Sequence, residues 1–309
     1  MTISLTGGLS FSGGFTFEAA TPEPNTAGWF GGGGGGPAQP SSGVIVNRIT
    51  FATDTETASV RGPLTVGADR FAAAGNTTAG WFGGGYQSST VQRITYATDT
   101  ASTSVRGPLS GTRYGCGATG NTTDGWWGAS AYGYSSVERI TYATDTDTAV
   151  VRGPLSAGRS YLGAAGNDTD GWFAGGFDGQ DSYDLVDRIT YATDTATASV
   201  RGPLSQAGSS IGGTGNTTDA WFAVAGSVVN RITFATDTAT ASVRGPLSMA
   251  RSGTGAAGNT TDGWFAAGYA PGYRSRVDRI TYATDTNTAS VRGPLSIPKS
   301  GPAAAGGIQ

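Results

Sequence analysis

The chain has 309 residues, a formal net charge of −3 and no histidine, and Cys116 is its single cysteine. This composition excludes disulfides within the chain, zinc sites built from the usual ligand sets, and histidine-dependent triads. The net charge lacks the basic excess of a nucleic-acid binder, and no window is apolar for the length of a membrane span. We therefore expect no metal, no cofactor, no nucleic-acid partner and no membrane insertion.

One octapeptide organises the sequence. It reads Arg-Ile-Thr-Phe-Ala-Thr-Asp-Thr over residues 48–55, and near copies begin at Arg93, Arg139, Arg188, Arg231 and Arg279. The Asp of the octapeptide recurs every 43 to 49 residues, the extremes being Asp194 to Asp237 and Asp145 to Asp194. A repeat of this length is typical of a propeller or a solenoid.

Residues 1–24 precede the first repeat. Their sequence has neither the basic segment nor the apolar segment of a secretory signal peptide. We therefore expect no Sec export, and we place residues 1–24 outside the repeat domain, which we assign to residues 25–309.

Each repeat contains four short strands, which we call A to D and illustrate with the fourth repeat. The strands are predicted at residues 163–166, 171–176, 186–193 and 198–203, with turns at 167–170 and 194–197. Strand C is rich in β-branched and aromatic residues, and strand D ends at Pro203, which has no N–H for a ladder. Four short antiparallel strands in a repeat of about 45 residues are typical of a propeller blade.

The apolar residues of strands A and B support a blade covered on both faces. Trp172 and Phe173 are consecutive, so they point to opposite faces of the sheet and both faces must be buried. Strand A carries almost nothing larger than alanine, which suits the narrow space beside a propeller axis. We expect the two arginines of each repeat, such as Arg188 and Arg201, to lock neighbouring strands or blades through carbonyls or aspartates.

The two ends of the chain predict a closed ring. Residues 296–306 align without a gap with residues 248–258 and supply a strand A, whereas the first repeat begins at strand B, Gly28-Trp29-Phe30. We predict that the C-terminal strand completes the first blade and removes the free edge. Residues 14–20 are a weaker alternative for this strand, because they contain two phenylalanines. The predicted fold is an all-β, six-bladed β-propeller of four-stranded antiparallel blades with a short N-terminal arm.

All length variation falls in one connection. An octapeptide Arg and the next strand-B Trp are always 33 residues apart, as in Arg48 to Trp81. From that Trp to its own following Arg, the distance varies from 10 residues (Trp221 to Arg231) to 19 residues (Trp29 to Arg48). Because strands alternate in direction, the B-to-C loops and the D-to-A connections should share one end of the ring. We call this end the variable face and expect it to bind.

The candidate binding residues are the polar and aromatic side chains of these loops. They are Tyr86, Gln87, Tyr132, Tyr134, Asp178, Asp181, Tyr183, Tyr269, Tyr273 and Arg274. Tyrosine offers a stacking surface and a hydroxyl, which suit protein contacts or sugar faces. Solvated loop tips without a ligand are the alternative.

Two sets of charged residues recur as well. We expect a basic ring around the channel mouth, or else surface ion pairs, from Arg113, Arg159, Arg251 and Lys299. Aspartates recur in the C-to-D hairpins at positions 54, 99, 145, 194, 237 and 285. Recurrence in every hairpin favours backbone capping over calcium or catalytic carboxylates, and no repeat stands out as holding a carboxylate pair of the glycosidase type.

The repeat resembles a known family. The string Arg-Ile-Thr-Tyr-Ala-Thr-Asp-Thr-Ala-Thr-Ala-Ser-Val-Arg-Gly-Pro-Leu-Ser and the string Asp-Gly-Trp-Phe-Ala-Gly-Gly are similar to kelch-like repeats of structural proteins in tailed phages, particularly those of marine and cyanobacterial hosts. The resemblance covers residues 29–306. The kelch double glycine is present at 83–84 and 175–176 and is replaced at 129–130, 224–225 and 266–267.

The resemblance implies a non-enzymatic virion protein on the tail or capsid exterior, assembled in the host cytoplasm. Residues 2–24 would then be a docking arm that adds a strand to another virion protein. The variable loops would face a host-surface glycan or protein. A glycan-binding, lectin-type propeller is the alternative function. An enzyme of the sialidase or oxidase kind is disfavoured, because no repeat breaks the pattern with a distinctive catalytic group.

Overall fold

The computed structural model describes residues 26–35, 42–130, 133–224 and 226–306. These residues form six separate four-stranded antiparallel sheets arranged as a ring. The predicted six-bladed β-propeller is therefore confirmed. The predicted arm, residues 1–24, and the alternative strand at residues 14–20 lie outside the described residues.

The strands are numbered in chain order. Blades 1 to 3 contain β1 Ala27–Gly31, β2 Val46–Thr50, β3 Ser59–Arg61, β4 Phe71–Gly75, β5 Ala79–Gly84, β6 Val91–Thr95, β7 Ser104–Arg106, β8 Gly117–Gly120, β9 Asp124–Ser130, β10 Tyr134–Thr141 and β11 Val150–Arg152. Blades 4 to 6 contain β12 Gly163–Gly166, β13 Asp170–Ala174, β14 Val186–Thr190, β15 Ser199–Arg201, β16 Gly212–Gly215, β17 Asp219–Ala223, β18 Val229–Thr233, β19 Ser242–Arg244, β20 Gly255–Gly258, β21 Asp262–Ala266, β22 Val277–Thr281 and β23 Ser290–Arg292. The last strand is β24, Ala303–Gly306.

The C-terminal strand closes the ring. Strand β24 pairs antiparallel with β1, with Ala305 opposite Trp29, and the first blade has the order β24-β1-β2-β3. The predicted closure is confirmed. The N-terminal and C-terminal parts of the chain therefore share one hydrogen-bonded sheet.

Strand C is shorter than predicted. In the fourth blade β14 ends at Thr190, and Tyr191–Thr193 form a 3₁₀ turn. The turn brings the Tyr191 ring onto Trp126 of the third blade, with ring centroids 3.8 Å apart. The other blades have the same 3₁₀ turn, at Phe51–Thr53, Tyr96–Thr98, Tyr142–Thr144, Phe234–Thr236 and Tyr282–Thr284. The aromatic residue after strand C therefore packs between blades instead of extending the strand.

Strand B has two buried faces, as its sequence predicts. Trp172 and Phe173 are 1% and 0% exposed. Trp172 packs with residues of the fifth blade, including Phe222, while Phe173 packs with residues of the third blade, including Trp126. Six apolar clusters of this kind lie between the blades of the described ring. Because burial of apolar area is the main stabilising term, the core of the protein lies between blades.

A charged contact joins each blade to the next. Oδ2 of Asp237 accepts hydrogen bonds from Trp172 Nε1 at 2.9 Å and from Arg188 Nη1 at 3.1 Å. Arg201 Nε lies 3.3 Å from the same oxygen. We call these four residues, and their equivalents, the inter-blade cluster. The equivalent acceptors are Asp54, Asp99, Asp145, Asp194 and Asp285.

The inter-blade cluster changes the interpretation of the hairpin aspartates. They were expected to cap backbone in their own turns, but their side chains are buried and accept hydrogen bonds from the preceding blade. That prediction is wrong, because the 3₁₀ turn carries the carboxylate to the neighbouring Trp and Arg side chains. The prediction for the arginines is confirmed, since both arginines of each blade contact an aspartate of the next blade.

Candidate functional site

The variable B-to-C loops meet the D-to-A connections at one end of the ring. Isolated β-bridges join Gly34 to Ser300, Ser160 to Phe177, Tyr183 to Gly208, Ser252 to Tyr269, and Arg274 to Lys299. In each of these pairs one residue belongs to a B-to-C loop and the other to a D-to-A connection. The B-to-C loops of the variable face are therefore hydrogen-bonded to the D-to-A connections.

A cavity of about 420 Å³ lies on the propeller axis at this face, and we call it the axial cavity. Its walls are mostly the small residues of the six A strands, such as Ala73 and Gly213, and Phe71, Leu162 and Ile211 also line it. Its rim carries the larger side chains of Asp69, Arg70, Tyr161, Ser210, Tyr269 and Tyr273. The predicted small residues of strand A thus leave open space along the axis, and the variable face surrounds its mouth.

The rim has an unusual backbone. The second residue before β12, Tyr161, has a φ of 60°, in the left-handed region that favours glycine. All six equivalent positions are left-handed, with φ of 60° at Arg70, 65° at Gly115, 57° at Ser210, 67° at Gly253 and 65° at Gly301. The left-handed turn lets neighbouring blades hydrogen-bond around the mouth, as in Tyr161 N to Gly115 O (2.6 Å) and Gly253 N to Ser210 O (2.9 Å).

Three blades place glycine at this position and three do not. A left-handed conformation costs a non-glycine residue about 1–2 kcal/mol. Arg70, Tyr161 and Ser210 carry this cost, although glycine at the same position suits the other three blades. Strain of this kind concentrates at functional sites. These three residues were not among the sequence-predicted binding residues, and comparison of the six repeats at this one position would have found them.

Arg70 lies in a row of tyrosines on one side of the rim. Its guanidinium carbon is 4.7 Å from the ring centroid of Tyr114 and 5.0 Å from that of Tyr161, and Nη1 donates to the Tyr161 hydroxyl. Arg70 Nε also lies 3.5 Å from a carboxylate oxygen of Asp69. The predicted residue Tyr86 extends the row, because its ring meets Tyr114 edge-on at 5.3 Å. The cation is therefore held by aromatic faces, a hydroxyl and a carboxylate.

Two more predicted residues lie at the rim. Tyr269 and Tyr273 face each other across a short hairpin in the sixth blade, with ring centroids 5.5 Å apart in an edge-on arrangement. Both line the axial cavity, and they are 51% and 37% exposed. The third tyrosine of the lining, Tyr161, precedes β12 of the fourth blade. The cavity thus has tyrosines from two blades at its mouth.

Three predicted residues have contacts within their own loops. Oδ1 of Asp178 accepts from the backbone N–H groups of Gln180 and Asp181, both at 2.8 Å, and Oδ2 accepts from the Tyr183 hydroxyl at 2.9 Å. The hydrogen bonds from Asp181 and Gln180 lower the pKa of Asp178, and the hydrogen bond to Asp178 raises the pKa of Tyr183. Arg274 donates from Nη2 to the carbonyl of Pro271 at 2.8 Å. These side chains shape the loops that carry them.

The other predicted residues that the structure describes lie away from the cavity, and Tyr134 is the first residue of β10. Gln87, Tyr134 and Asp181 are exposed, and Gln87 has a left-handed φ of 54°. They do not line the axial cavity in the described structure. Tyr132 lies outside the described residues. The structure therefore brings Tyr269 and Tyr273 to the cavity and Tyr86 to the row of tyrosines beside it.

The predicted basic ring does not exist. Arg159 is fully buried and its Nη1 lies 2.8 Å from Oδ2 of Asp187, while Nε donates to the carbonyl of Gly175. Arg251 pairs with Asp278 in the same way, and Arg113 pairs with Glu138. Each of these cations is turned into its own blade because an acidic residue of strand C neutralises it there. The prediction is wrong both for a ring and for surface ion pairs.

The residue just before the strand-C arginine complements the charge of one residue in the D-to-A connection, the position that is Arg159 in the fourth blade. It is acidic in the three blades that have the buried arginine and an amide in the others, which contain Asn47, Gln92 and Asn230. Lys299 is the exception, since it is a buried cation in the blade of Asn47. Its Nζ donates to the carbonyls of Phe30 and Ile45, both at 3.1 Å, and burial lowers its pKa to about 7.

Within the described part of the chain, no three Cys, Asp or Glu side chains come together as a metal site. The same residues include no helix with the length and apolarity to cross a membrane. No protein-family model and no curated protein sequence matches this chain.

Proposed function

We propose that the protein is a non-enzymatic contact and display module whose working surface is the variable face. The observation that carries this proposal is the confinement of differences between blades. The inter-blade cluster is the same in all six blades, whereas loop length, exposed tyrosines and left-handed side chains vary around one mouth. A scaffold that is constant except at one face is typical of a binding protein.

The opposite face supports the same proposal, because its turns are uniform. Oδ1 of Asn121 accepts hydrogen bonds from the backbone of Thr123 and Asp124, both at 2.9 Å, and so closes its own A-to-B turn. The equivalent residues Asn76, Asn167, Asn216 and Asn259 do the same. The recurring aspartates serve the inter-blade clusters and these turns. The carboxylates of the repeat thus have structural partners, which favours a role without catalysis.

We place this module on the exterior of a phage particle, on the tail or the capsid, following the resemblance of its repeats. In this proposal, residues 2–24 dock on another virion protein, assembly takes place in the host cytoplasm, and the variable face contacts a host-surface component. In this arrangement the arm attaches the protein to the particle, the ring holds the loops in position, and the loops contact the host surface.

Site-specific photo-crosslinking in purified particles tests the proposal. A photoreactive residue is placed at Leu5 in the arm, at Tyr134 on the variable face, or at Thr77, which is exposed on the opposite face. We expect position 5 to crosslink to a virion protein, position 134 to a host-envelope component after adsorption, and position 77 to neither. A protein that does not co-purify with particles overturns the virion role. Adducts at position 77 that equal those at position 134 overturn the assignment of the face.

A further inference from the structure

We infer that the axial cavity binds one uncharged saccharide ring, an assignment that rests on the proposed function of the variable face and names the ligand class of its central site. The observations that carry it are a charged donor and acceptor side by side on the rim, tyrosines of two blades at the mouth, and strained side chains at its edge.

The charged pair suits adjacent hydroxyl groups. Arg70 supplies N–H donors and Asp69 supplies acceptor oxygens, and their nearest charged atoms lie 3.5 Å apart. Two neighbouring hydroxyls of a sugar ring can donate to the carboxylate and accept from the guanidinium together, because a hydroxyl is both donor and acceptor. Hydrogen bonds to charged groups are stronger than those between neutral groups. The pair therefore recognises a vicinal diol.

The same pair disfavours an ionic ligand. Asp69 and Arg70 are the only charged residues that line the described cavity, and their charges cancel. The four other cations of the D-to-A connections are buried, three beside an acid and Lys299 against backbone carbonyls. An ionic ligand would gain no net charge attraction, because one residue of the pair attracts it and the other repels it. Since the lining is neutral as a whole, a neutral polar ligand fits it best.

The aromatic residues and the size of the cavity complete the match. Tyr269 and Tyr273 are partly exposed, so they offer ring surface for the C–H face of a sugar and hydroxyls for its edges. The cavity volume of about 420 Å³ falls within the range of about 300–1,000 Å³ that is common for small-molecule sites. The small residues of strand A leave this space open, so a ring can enter without movement of the blades.

The rim is held in place before a ligand arrives. Arg70 is held by Tyr114, Tyr161 and Asp69, and the backbone of Tyr161 is tied to Gly115. A group that is already ordered loses less entropy on binding. This explains why three blades keep a side chain at a position where glycine would be relaxed: the side chains at these positions serve a ligand.

The test uses glycine substitutions, because the structure shows that glycine fits this backbone. Arg70→Gly and Tyr161→Gly place at the rim the residue found in three other blades. Thr77→Gly is the control, since Thr77 is exposed on the opposite face of the ring and lies outside the cavity. Binding of methyl glucoside, methyl galactoside, methyl mannoside and N-acetylglucosamine is measured by saturation-transfer NMR and titration calorimetry. Glucuronate and glucosamine serve as charged probes.

We expect at least one neutral glycoside to bind more tightly than either charged sugar. Arg70→Gly and Tyr161→Gly should weaken that binding by about tenfold or more, while Thr77→Gly leaves it unchanged. The inference is overturned if no neutral probe binds, if the charged sugars bind better, or if the rim variants bind like the control. If the saccharide site is overturned but position 134 still crosslinks in Tyr161→Gly, the proposed contact role of the variable face stands. If glycosides bind but position 134 gives no crosslinks, the proposed contact role is overturned and the saccharide site stands.

Discussion

Removal of one hairpin carboxylate should destabilise the ring, and the third hairpin provides its own control. Asp145 belongs to an inter-blade cluster, in which Oδ2 accepts from Trp81 Nε1 at 2.8 Å and from Arg93 Nη1 at 3.0 Å, with Arg106 Nε 3.4 Å away. Asp147 lies two residues later in the same hairpin and is exposed. The two alanine variants therefore differ in the inter-blade contact and share the same local turn.

The expected loss in free energy of unfolding follows from the donor groups that lose their acceptor in Asp145→Ala. The indole N–H of Trp81 is buried, and losing its acceptor costs about 1–3 kcal/mol. Arg93 and Arg106 are 29% and 20% exposed, so water replaces part of their contacts and their loss adds only about 1 kcal/mol together. We expect a loss of about 3 kcal/mol for Asp145→Ala, about 1–2 kcal/mol for Asp145→Asn, which keeps an acceptor, and about zero for Asp147→Ala.

Equilibrium urea unfolding, followed by tryptophan fluorescence, measures these differences. The slope of the transition should be the same in all variants, so that midpoints report stability. A loss below about 1 kcal/mol for Asp145→Ala would mean that the carboxylate contributes little between blades. A loss of equal size for Asp147→Ala would show that the effect comes from the turn and not from the neighbouring blade.

Two further predictions concern closure of the ring. Deletion of residues 297–309 removes β24, which pairs with β1, and should lower the melting temperature by more than about 10 °C, whereas an unchanged melt would contradict closure by this strand. Because the folded-state pKa of Lys299 is lowered to about 7 from an ordinary 10.5, the unfolded chain binds the extra proton between these values, and stability should rise with pH from 7 to 9 by up to about 1.4 kcal/mol per unit. Lys299→Met should remove this rise in urea unfolding measured across that range, and an identical pH profile in the variant would contradict the lowered pKa of the buried lysine.

The fold could be predicted from the sequence because its signals repeat. The period fixes the blade, Trp172 and Phe173 require two covered faces, and the tail matches an internal strand A. The contact between Asp237 and Trp172 could not be predicted in the same way. The two residues are 65 positions apart in different blades, and only the angle between neighbouring blades determines that they meet.

The residues around the axial cavity were predicted less completely. Loop length identified the variable face and brought out Tyr269 and Tyr273, which line the cavity, but it also selected Asp178 and Tyr183, which bind each other. Arg70 and Tyr161 were missed, because they lie in a connection of constant length. Their left-handed backbone allows hydrogen bonds between blades, and only comparison of the six repeats at this position distinguishes them from glycine.

The buried charges show how a repeated scaffold keeps its interior neutral while its surface diverges. Arg159 and Arg251 each have an acid in strand C of the same blade. In the fifth blade the position equivalent to these arginines is Gly208, and the strand-C residue is the uncharged amide Asn230. Substitutions in the D-to-A connection and in strand C are thus balanced within single blades. The rim position two residues later can therefore change without leaving a buried charge unpaired, and the cost of a new side chain there comes from its left-handed backbone. The axial cavity can acquire new side chains one blade at a time, at about 1–2 kcal/mol for each departure from glycine.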